Sequence, residues 1–147
     1  MNRVSVNIKR LDPSVELPSY AYEGDAGLDL RANEDVTIEP HERALVGTGL
    51  AIALPDGYAG FVQPRSGMAL KRGLSIANTP GLIDAHYRGE LKIICVNLDA
   101  HEPIHIERGE RIAQLVIQQV PIVNLVEVDE LDETDRGSGG FGSSGTN

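Results

Sequence analysis

The chain has 147 residues, of which 41% are apolar and 24% charged, and its 22 acidic and 13 basic residues give a net charge of −9. A chain of this length forms one domain with a single core. The acidic charge argues against a nucleic-acid scaffold, since phosphate backbones are bound by clustered Lys and Arg. No apolar run approaches the roughly 20 residues that a membrane-spanning helix needs.

The N-terminus and the cysteine content indicate a compartment. Residues 1–7 lack the apolar stretch of an export signal. Cys95 is the only cysteine, so no disulfide forms within one chain. We therefore expect a protein of the reducing cytoplasm.

Short apolar runs with a period near two follow one another along the first 128 residues, and Gly, Pro, Asn or Asp separates them. The run 91–98 is almost continuously apolar, which is typical of a strand buried on both faces. Many short strands at this spacing predict an all-β sandwich or jelly roll of antiparallel strands rather than βαβ units. In chain order the predicted strands are residues 4–8, 36–38, 50–54, 58–62, 91–98, 112–120 and 123–128.

One short helix and one flexible segment complete the predicted organisation. Residues 66–73 predict a helix of barely two turns, with Ser66 as its N-terminal cap and Gly73 as its end. Residues 129–135 include five acids, and eight of the eleven residues from 137 to 147 are Gly or Ser. Such a composition buries too little surface to offset its ordering entropy. We therefore expect a β-domain over residues 1–128 and a flexible C-terminal segment over residues 129–147.

Two patterns match known motifs without the context that those motifs need. Residues 101–105 read H-E-P-I-H, but a zinc-protease site requires both His on one helical face, and Pro103 is incompatible with a helix interior. In a strand the two His lie about 13 Å apart, so we interpret them as surface residues beside a strand. Residues 137–142 match G-x-G-x-x-G, but acidic residues rather than a strand precede them. A glycine-rich backbone that presents N–H groups to an anion remains compatible with this segment.

Five further segments place charged side chains inside turn-rich and otherwise apolar sequence. Arg65 and Ser66 precede or begin the predicted helix, whose free N–H groups favour an anion. Arg65, Arg111 and Arg136 supply positive charge, and Asp84 is displayed at the end of a predicted hairpin. The segments are residues 25–30 (DAGLDL), 64–67 (PRSG), 81–90 (GLIDAHYRGE), 108–114 (RGERIAQ) and the tail from residue 136.

Each segment alone has a simpler explanation. Turn chemistry accounts for Asp84 and His86, and solvated strand faces account for Asp29 and Gln114. Tyr87 fits a core ring with a wet hydroxyl group. The joint occurrence and the order of the segments are what favour a site.

In sequence and spacing the five segments resemble the five motifs of the trimeric dUTP diphosphatases (dUTPases). The resemblance runs from Asp25 to Gly145, and the P-R-S-G and G-x-I-D-x-x-Y-R-G-E segments carry its specificity. It implies a β jelly roll, or distorted barrel, that assembles as a homotrimer with active sites shared between subunits. It also implies hydrolysis of dUTP to dUMP and pyrophosphate with Mg²⁺. That reaction limits uracil incorporation into DNA and supplies dUMP for dTMP synthesis.

The resemblance assigns roles to individual residues. It implies that Asp84 activates a water against the α-phosphorus, that Tyr87 lies beneath the deoxyribose and excludes a 2′-OH, and that Asp29 holds a hydration water of a Mg²⁺ chelated by the triphosphate. Arg111 is left open between the site, a pair with Glu110 and the subunit interface. The other implied substrate-binding positions are Asn78, Leu82, Ile83 and Lys92 near the uracil, Arg65, Ser66, Gly67 and Gln114 at the phosphates, and Arg136, Phe141 and Gly142 in the tail.

The same resemblance implies where each part of a site originates. Segments 25–30, 64–67 and 108–114 come from one subunit, the hairpin with Asp84 comes from a second, and the tail comes from a third. We expect dUTP as the partner molecule, with neither nucleic acid nor membrane.

Two other functions fit parts of the pattern. The dCTP deaminases share this fold and hairpin, but they have R-S-S where this chain has Arg65-Ser66-Gly67. They also need a catalytic Glu, for which Glu90 is the only nearby candidate. The second alternative is a non-catalytic nucleotide-binding regulator on the same fold.

Overall fold

A computed structural model describes residues 2–145, and within this range the chain forms eleven strands and one short helix. The all-β fold class predicted from the sequence is confirmed. In chain order the elements are β1 (Asn7–Arg10), β2 (Leu28–Arg31), β3 (Val36–Ile38), β4 (Arg43–Gly47), β5 (Leu50–Ala53), β6 (Tyr58–Gln63), α1 (Ser66–Arg72), β7 (Leu74–Ile76), β8 (Gly81–Ile83), β9 (Lys92–Asn97), β10 (Ile104–Ile106) and β11 (Arg111–Gln119).

The strands form four antiparallel sheets in a jelly-roll arrangement. The largest has the order β2-β11-β6-β8, and a three-stranded sheet has the order β4-β9-β7. Two-stranded sheets join β1 to β5 and β3 to β10. The nine-residue strand β11 lies between β2 and β6, so it brings together segments that are far apart in the chain. Strand β8 is at the edge of its sheet.

The core lies between the sheets and consists almost entirely of Leu, Ile and Val. Fully buried examples are Leu30, Ile93 and Ile112, each at most 1% exposed. Burial of one such side chain contributes roughly 1.5–3 kcal/mol. The two buried polar side chains have partners: the Thr48 hydroxyl donates to the Leu91 carbonyl at 2.6 Å, and the Asn97 amide donates to two carbonyls at 2.9 Å.

The predicted helix forms, but its start differs from the prediction. Arg65, in an extended conformation, is the N-cap, and Ser66 is the first helical residue. No side chain caps this end, so the prediction of Ser66 as the cap is wrong. Gly73 ends the helix as expected, because its φ of 71° is a left-handed conformation that glycine adopts without strain.

Several predicted strands shift or are absent. The first strand is Asn7–Arg10 rather than residues 4–8. Strand β9 alternates between buried and less buried side chains, so the prediction of burial on both faces does not hold within one chain. Residues 123–128 form no strand and are exposed. We call residues 121–131 the apolar arm; in it, Ile122 and Leu125 are 92% and 90% exposed.

The H-E-P-I-H segment forms no helix. His105 lies in strand β10, where its Nδ1 is 2.9 Å from the Thr37 hydroxyl of the paired strand β3. His101 precedes the strand, in a bend. Across residues 2–145, no helix combines the length and the apolar character needed to cross a membrane.

Candidate active site

Strand β11 brings three of the five charged segments to one surface. Gln114 in β11 is paired with Asp29 in β2 on one side and with Gln63 in β6 on the other. A cavity of about 560 Å³ opens there, and we call it the phosphate cavity. It is lined by Ala21, Tyr22, Asp25, Ala26, Gly27, Asp29, Gln63, Arg65, Ser66, Gly67, Arg111, Gln114 and Val116.

The charged centre of the phosphate cavity is one carboxylate between two guanidinium groups. Asp29 Oδ1 is 3.7 Å from Arg65 Nε, and Asp29 Oδ2 is 3.3 Å from Arg111 Nη1. Arg65 also donates to the Arg111 carbonyl at 3.4 Å. The Asp29 side chain is only 16% exposed, whereas Arg111 is 40% exposed. Both guanidinium groups meet the same carboxylate, so they are brought close together on this wall of the cavity.

These contacts show where Arg111 lies, the arginine whose role the sequence leaves open. Arg111 lines the phosphate cavity and binds Asp29. Its neighbour Glu110 pairs instead with Arg72 at 3.2 Å. The alternative pair between Arg111 and Glu110 is therefore not formed.

Ser66, Gly67 and Gln114 complete the wall. Ser66 and Gly67 are the first residues of α1, where backbone N–H groups have no carbonyl of their own helix to bind. Gln114 donates from Nε2 to the Pro64 carbonyl at 3.1 Å. A Cβ atom on Gly27 would lie 2.7 Å from Gln114 Oε1, so a larger residue there would shift this amide. The segment 25–30 thus shapes the wall as well as supplying Asp29.

A second cavity, of about 360 Å³, lies beside the loop between β8 and β9. Strand β8 pairs with β6, and β9 pairs with β4 and β7, so the two strands do not form the hairpin that the sequence predicts around Asp84. We call this cavity the hairpin cavity after that prediction. Asp84 follows β8 directly, is exposed, and begins a turn closed by a 3.1 Å hydrogen bond from Tyr87 N to its carbonyl oxygen. The cavity is lined by Leu45, Val62, Ile76, Asn78, Gly81, Leu82, Ile83, Asp84, Tyr87, Glu90, Leu91, Lys92, Ile93 and Ile94. All the hairpin and uracil positions predicted from the sequence therefore lie around one cavity.

Tyr87 is held by its own loop, between β8 and β9, rather than in the core. Its side chain is 47% exposed, and its hydroxyl donates to the Glu90 carbonyl at 2.9 Å. His86 and Arg88 beside it are exposed, and His86 Nε2 is 2.8 Å from Asp56 on a neighbouring turn. Tyr87 also lines the hairpin cavity.

The sequence suggests Glu90 only as a possible catalytic glutamate of a deaminase. In the structure its carboxylate contacts the main chain of a distant loop. Its Oε2 accepts a hydrogen bond from the main-chain N of Gly49 at 3.2 Å. This contact joins residues 41 positions apart, so no local sequence pattern predicts it. A carboxylate engaged with the backbone gives no support to the deaminase alternative.

The two cavities share no lining residue within one chain. Val62 lines the hairpin cavity and the next residue of β6, Gln63, lines the phosphate cavity. Successive side chains of a strand point to opposite faces, which explains this separation. A single chain therefore keeps Asp84 apart from the arginines of its own phosphate cavity.

The tail residues lie away from both cavities. Neither cavity, among residues 2–145, is lined by Arg136, Phe141 or Gly142. Arg136 Nε donates to the Gly139 carbonyl at 2.9 Å, and the Phe141 ring is fully exposed. Residues 146 and 147, the end of the predicted flexible segment, lie outside the described residues.

Two observations limit the chemistry available on one chain. Burial raises the pKa of the Cys95 thiol to about 12, so this cysteine stays protonated and is no nucleophile. Within residues 2–145, no group of three or more His, Cys, Asp or Glu side chains is arranged to hold a metal ion.

A family model described as dUTPase matches residues 14–145. The chain belongs to the dUTPase family. Deoxyuridine 5′-triphosphate nucleotidohydrolase of Corynebacterium diphtheriae is 62% identical over 119 residues, which cover 81% of this chain and 78% of that protein. The enzyme of the same name from Mycobacterium leprae strain Br4923 is 55% identical over 122 residues, covering 83% and 79% of the two chains.

Solved dUTPase structures share the fold. The dUTPase of Staphylococcus bacteriophage 80alpha with dUpNHpp matches at a TM-score of 0.88 and 34% identity, over 97% of this chain and 99% of that one. A dUTPase mutant from phage phi11 of S. aureus, described with a structural Mg(II) ion, matches at a TM-score of 0.81 and 28% identity, over 88% and 100%. The family resemblance inferred from the five segments is thus confirmed.

Proposed function

We propose that this dUTPase hydrolyses dUTP to dUMP and pyrophosphate through water attack on the α-phosphorus, with Asp84 as the general base. The reaction limits uracil incorporation into DNA and supplies dUMP for dTMP synthesis. The observation that carries the proposal is the hairpin cavity, where Asn78, Asp84 and Tyr87 converge. Its volume of about 360 Å³ is within the range of small-molecule sites.

The base-binding part of the proposal rests on the edge position of β8. This strand pairs only with β6 within the sheet, so its other edge presents backbone N–H and C=O groups. Uracil has one N–H between two carbonyl groups, a pattern that a strand edge complements. Leu82 and Ile83 supply this edge, the Asn78 amide adds a donor and an acceptor, and the main chain of Lys92 lies nearby.

The chemical step needs a positioned water and charge stabilisation. Asp84 orients the water and accepts its proton as the oxygen attacks the α-phosphorus. The new P–O bond forms while the bond to the bridging oxygen of the β-phosphate breaks, so pyrophosphate leaves in line with the attack. Arg65, Ser66, Gly67 and Gln114 stabilise the phosphate charge from the phosphate cavity.

Mg²⁺ is the proposed cofactor, and the residues fit a metal that the substrate itself carries. Each carboxylate oxygen of Asp29 meets one arginine and keeps a further lone pair for a hydration water. When bound, Mg²⁺ neutralises charge on the triphosphate oxygens. We infer that Asp29 receives a water of the hydrated ion and thereby aligns the triphosphate with Arg65.

A homotrimer is proposed because one chain does not complete the site. The two cavities are lined by different residues, so Asp84 has to act on a triphosphate held by a neighbouring subunit. The apolar arm supports assembly, since Leu125 and Leu131 are 90% and 85% exposed and would be buried against a second copy. We infer that the arm crosses to a neighbouring subunit.

The tail is proposed as a lid that belongs to a third subunit. Arg136 would reach the γ-phosphate and Phe141 would cover the uracil, while Gly142 and its glycine neighbours allow the closure. Gly142 has a φ of 86°, which non-glycine residues rarely adopt. A segment with one cation, one ring and many glycines suits a lid that a substrate orders. In this proposal residues 1–128 form the catalytic β-domain, and residues 129–147 contain the lid.

Pyrophosphate release tests the function directly. The purified protein is incubated with Mg²⁺ and dUTP, with dCTP and UTP in parallel, and both pyrophosphate and ammonia are measured. We expect pyrophosphate from dUTP alone. Ammonia from dCTP would establish the deaminase alternative, and dUTP binding without turnover would establish the regulator.

A further inference from the structure

The position of the Tyr87 ring is set by the residues that follow it in the loop between β8 and β9. Its hydroxyl donates to the carbonyl oxygen of Glu90 at 2.9 Å. A Cβ atom on Gly89 would collide with the same hydroxyl, so the phenol lies directly over the glycine. The hydrogen bond and the missing side chain together form a seat for the ring, which we call the tyrosine seat (Gly89 and Glu90).

The tyrosine seat is anchored to a distant loop by the Glu90 side chain. Glu90 Oε2 accepts a 3.2 Å hydrogen bond from Gly49 N, in the loop between β4 and β5. A Cβ atom on Gly47 would collide with that oxygen, so the carboxylate packs against the main chain itself. The side chain and the carbonyl group of one residue thus connect the loop to Tyr87.

The next residue makes this anchor rigid. Leu91, 3% exposed, donates from its main-chain N to the Leu50 carbonyl at 2.8 Å. Its own carbonyl accepts from the N and the hydroxyl of buried Thr48, at 3.2 and 2.6 Å. The Glu90 carbonyl belongs to the same planar peptide unit as the Leu91 N–H, so the Leu91–Leu50 hydrogen bond and the Glu90 carboxylate together hold it in place.

We propose that Glu90 is a positioning residue for sugar discrimination and acts through Tyr87. The inference rests on the proposed function, in which the Tyr87 ring lies beneath the deoxyribose. The carboxylate restrains Glu90 in addition to the Leu91 hydrogen bonds, the Glu90 carbonyl holds the phenol, and the ring then keeps one depth beneath the sugar. A ring that tilts away opens the space that a 2′-OH needs, so loosening the seat admits UTP.

The test is the ratio of kcat/KM for dUTP to that for UTP. It is measured for the wild type and for the variants Glu90→Ala, Glu90→Gln and Tyr87→Phe. The wild-type protein separates the two proposals: without dUTP turnover the proposed function fails, whereas with turnover the ratios decide on the seat. A lower stability alone would reduce the rates on both substrates equally and leave the ratio unchanged.

We expect Glu90→Ala and Tyr87→Phe each to lower the ratio by about tenfold, the scale of discrimination for one small group. The double variant should be no worse than either single variant, because both break one chain of contacts. Glu90→Gln should keep the wild-type ratio, because the amide oxygen of glutamine also accepts a hydrogen bond from Gly49 N. Glu102→Ala, at an exposed glutamate outside both cavities, is the matched control.

A second variant keeps the test decisive if Glu90→Ala does not fold. Gly89→Ala leaves the Glu90 carboxylate in place but pushes the Tyr87 hydroxyl off the seat. We expect the same loss of discrimination from this variant. A wild-type ratio in Gly89→Ala, or an unchanged ratio in folded Glu90→Ala beside a lowered one in Tyr87→Phe, would overturn the proposal.

Discussion

The Arg111 guanidinium donates a hydrogen bond to the Asp29 carboxylate at 3.3 Å, although 82 residues separate the two in the chain. The register of the pair between β11 and β2 shifts between Arg111 and Ala113. Such bulges re-aim side chains beside functional sites. Here the irregularity coincides with Arg111, which lines the phosphate cavity. We therefore include the contact between Arg111 and Asp29 in the candidate site.

Asp29→Asn should impair catalysis and the use of Mg²⁺. The amide keeps the shape of the side chain but removes the charge that holds Arg65 and Arg111 and that we propose to bind a hydration water of the metal. We expect a loss of roughly 10- to 100-fold in kcat/KM for dUTP, the usual cost of removing an outer-shell partner. The Mg²⁺ concentration for half-maximal rate should rise, which a titration of the metal measures.

Arg111→Lys is the companion variant for this prediction. Lysine keeps the positive charge but lacks the planar guanidinium group that binds Asp29. The main-chain carbonyl of residue 111, which accepts from Arg65, is unchanged by the substitution. A smaller loss than that of Asp29→Asn is expected. An unchanged Mg²⁺ requirement in Asp29→Asn would contradict the role given to this carboxylate.

Asp84→Asn should abolish most turnover while the protein still binds nucleotide. An amide accepts no proton from water, and general bases contribute about 10²–10⁴-fold to rates. Single-turnover kinetics with dUTP and equilibrium binding of a non-hydrolysable analogue measure the two effects separately. Asp35→Asn, at an exposed aspartate outside both cavities, is the control and should keep wild-type activity. Full turnover by Asp84→Asn would refute the general-base assignment.

The sequence predicted the fold class and most strands because alternating apolar runs reflect a sheet with one buried face. Five of the eleven strands of residues 2–145 are absent from the predicted set: β2, β4, β7, β8 and β10. Strand β7 has three residues and directly follows α1, so it is too short to show a period. Residues 123–128 show the opposite error, because a strand was predicted where none forms. An apolar run indicates that side chains need burial, but it does not indicate whether their own chain or another subunit covers them.

The candidate site also contains some residues that the sequence indicates and others that it does not. Asp84 and Tyr87 stand out in the sequence because both lie in one short turn, although the hairpin predicted around that turn is not formed. Glu90 has no such local signal, because its contact with Gly49 depends on how two distant loops meet. Ser66 was assigned as the helix cap because capping residues and first-turn residues are similar in type, and one position separates the two roles.

Truncation after Asp135 should leave a folded assembly with poor catalysis. The apolar arm ends before this point, whereas Arg136 and Phe141 are removed together. We expect kcat/KM for dUTP to fall at least about tenfold, because a positioned cation is lost at the triphosphate. The melting temperature and the sedimentation coefficient should stay close to the wild-type values. Truncation after Ser143, which keeps both residues, is the control; equal activities of the two truncated chains would exclude a lid.

Cys95 should make stability fall at alkaline pH. Burial raises the pKa of its thiol to about 12 in the folded chain, against 9.0 in an exposed setting. Between these values the unfolded chain loses the thiol proton and the folded chain keeps it. The free energy of unfolding therefore falls as pH rises above 9, by up to about 1.4 kcal/mol per pH unit. Cys95→Ala lacks this component, so denaturant curves from pH 8 to 11 should show a shallower decline; parallel declines would contradict it.

Leu125→Asp should weaken the assembly without unfolding the subunit. The side chain is 90% exposed on a single chain, so a charge there costs the isolated fold little. In the proposed trimer the same side chain is buried against a neighbour, where a leucine contributes roughly 1.5–3 kcal/mol and a charge is costly. Sedimentation velocity across a dilution series should show smaller species, with a parallel loss of dUTP turnover because the site needs more than one chain. Asn124→Asp adds the same charge at the adjacent polar position and should assemble as the wild type does. If both variants sediment like the wild type, the arm does not hold the subunits together.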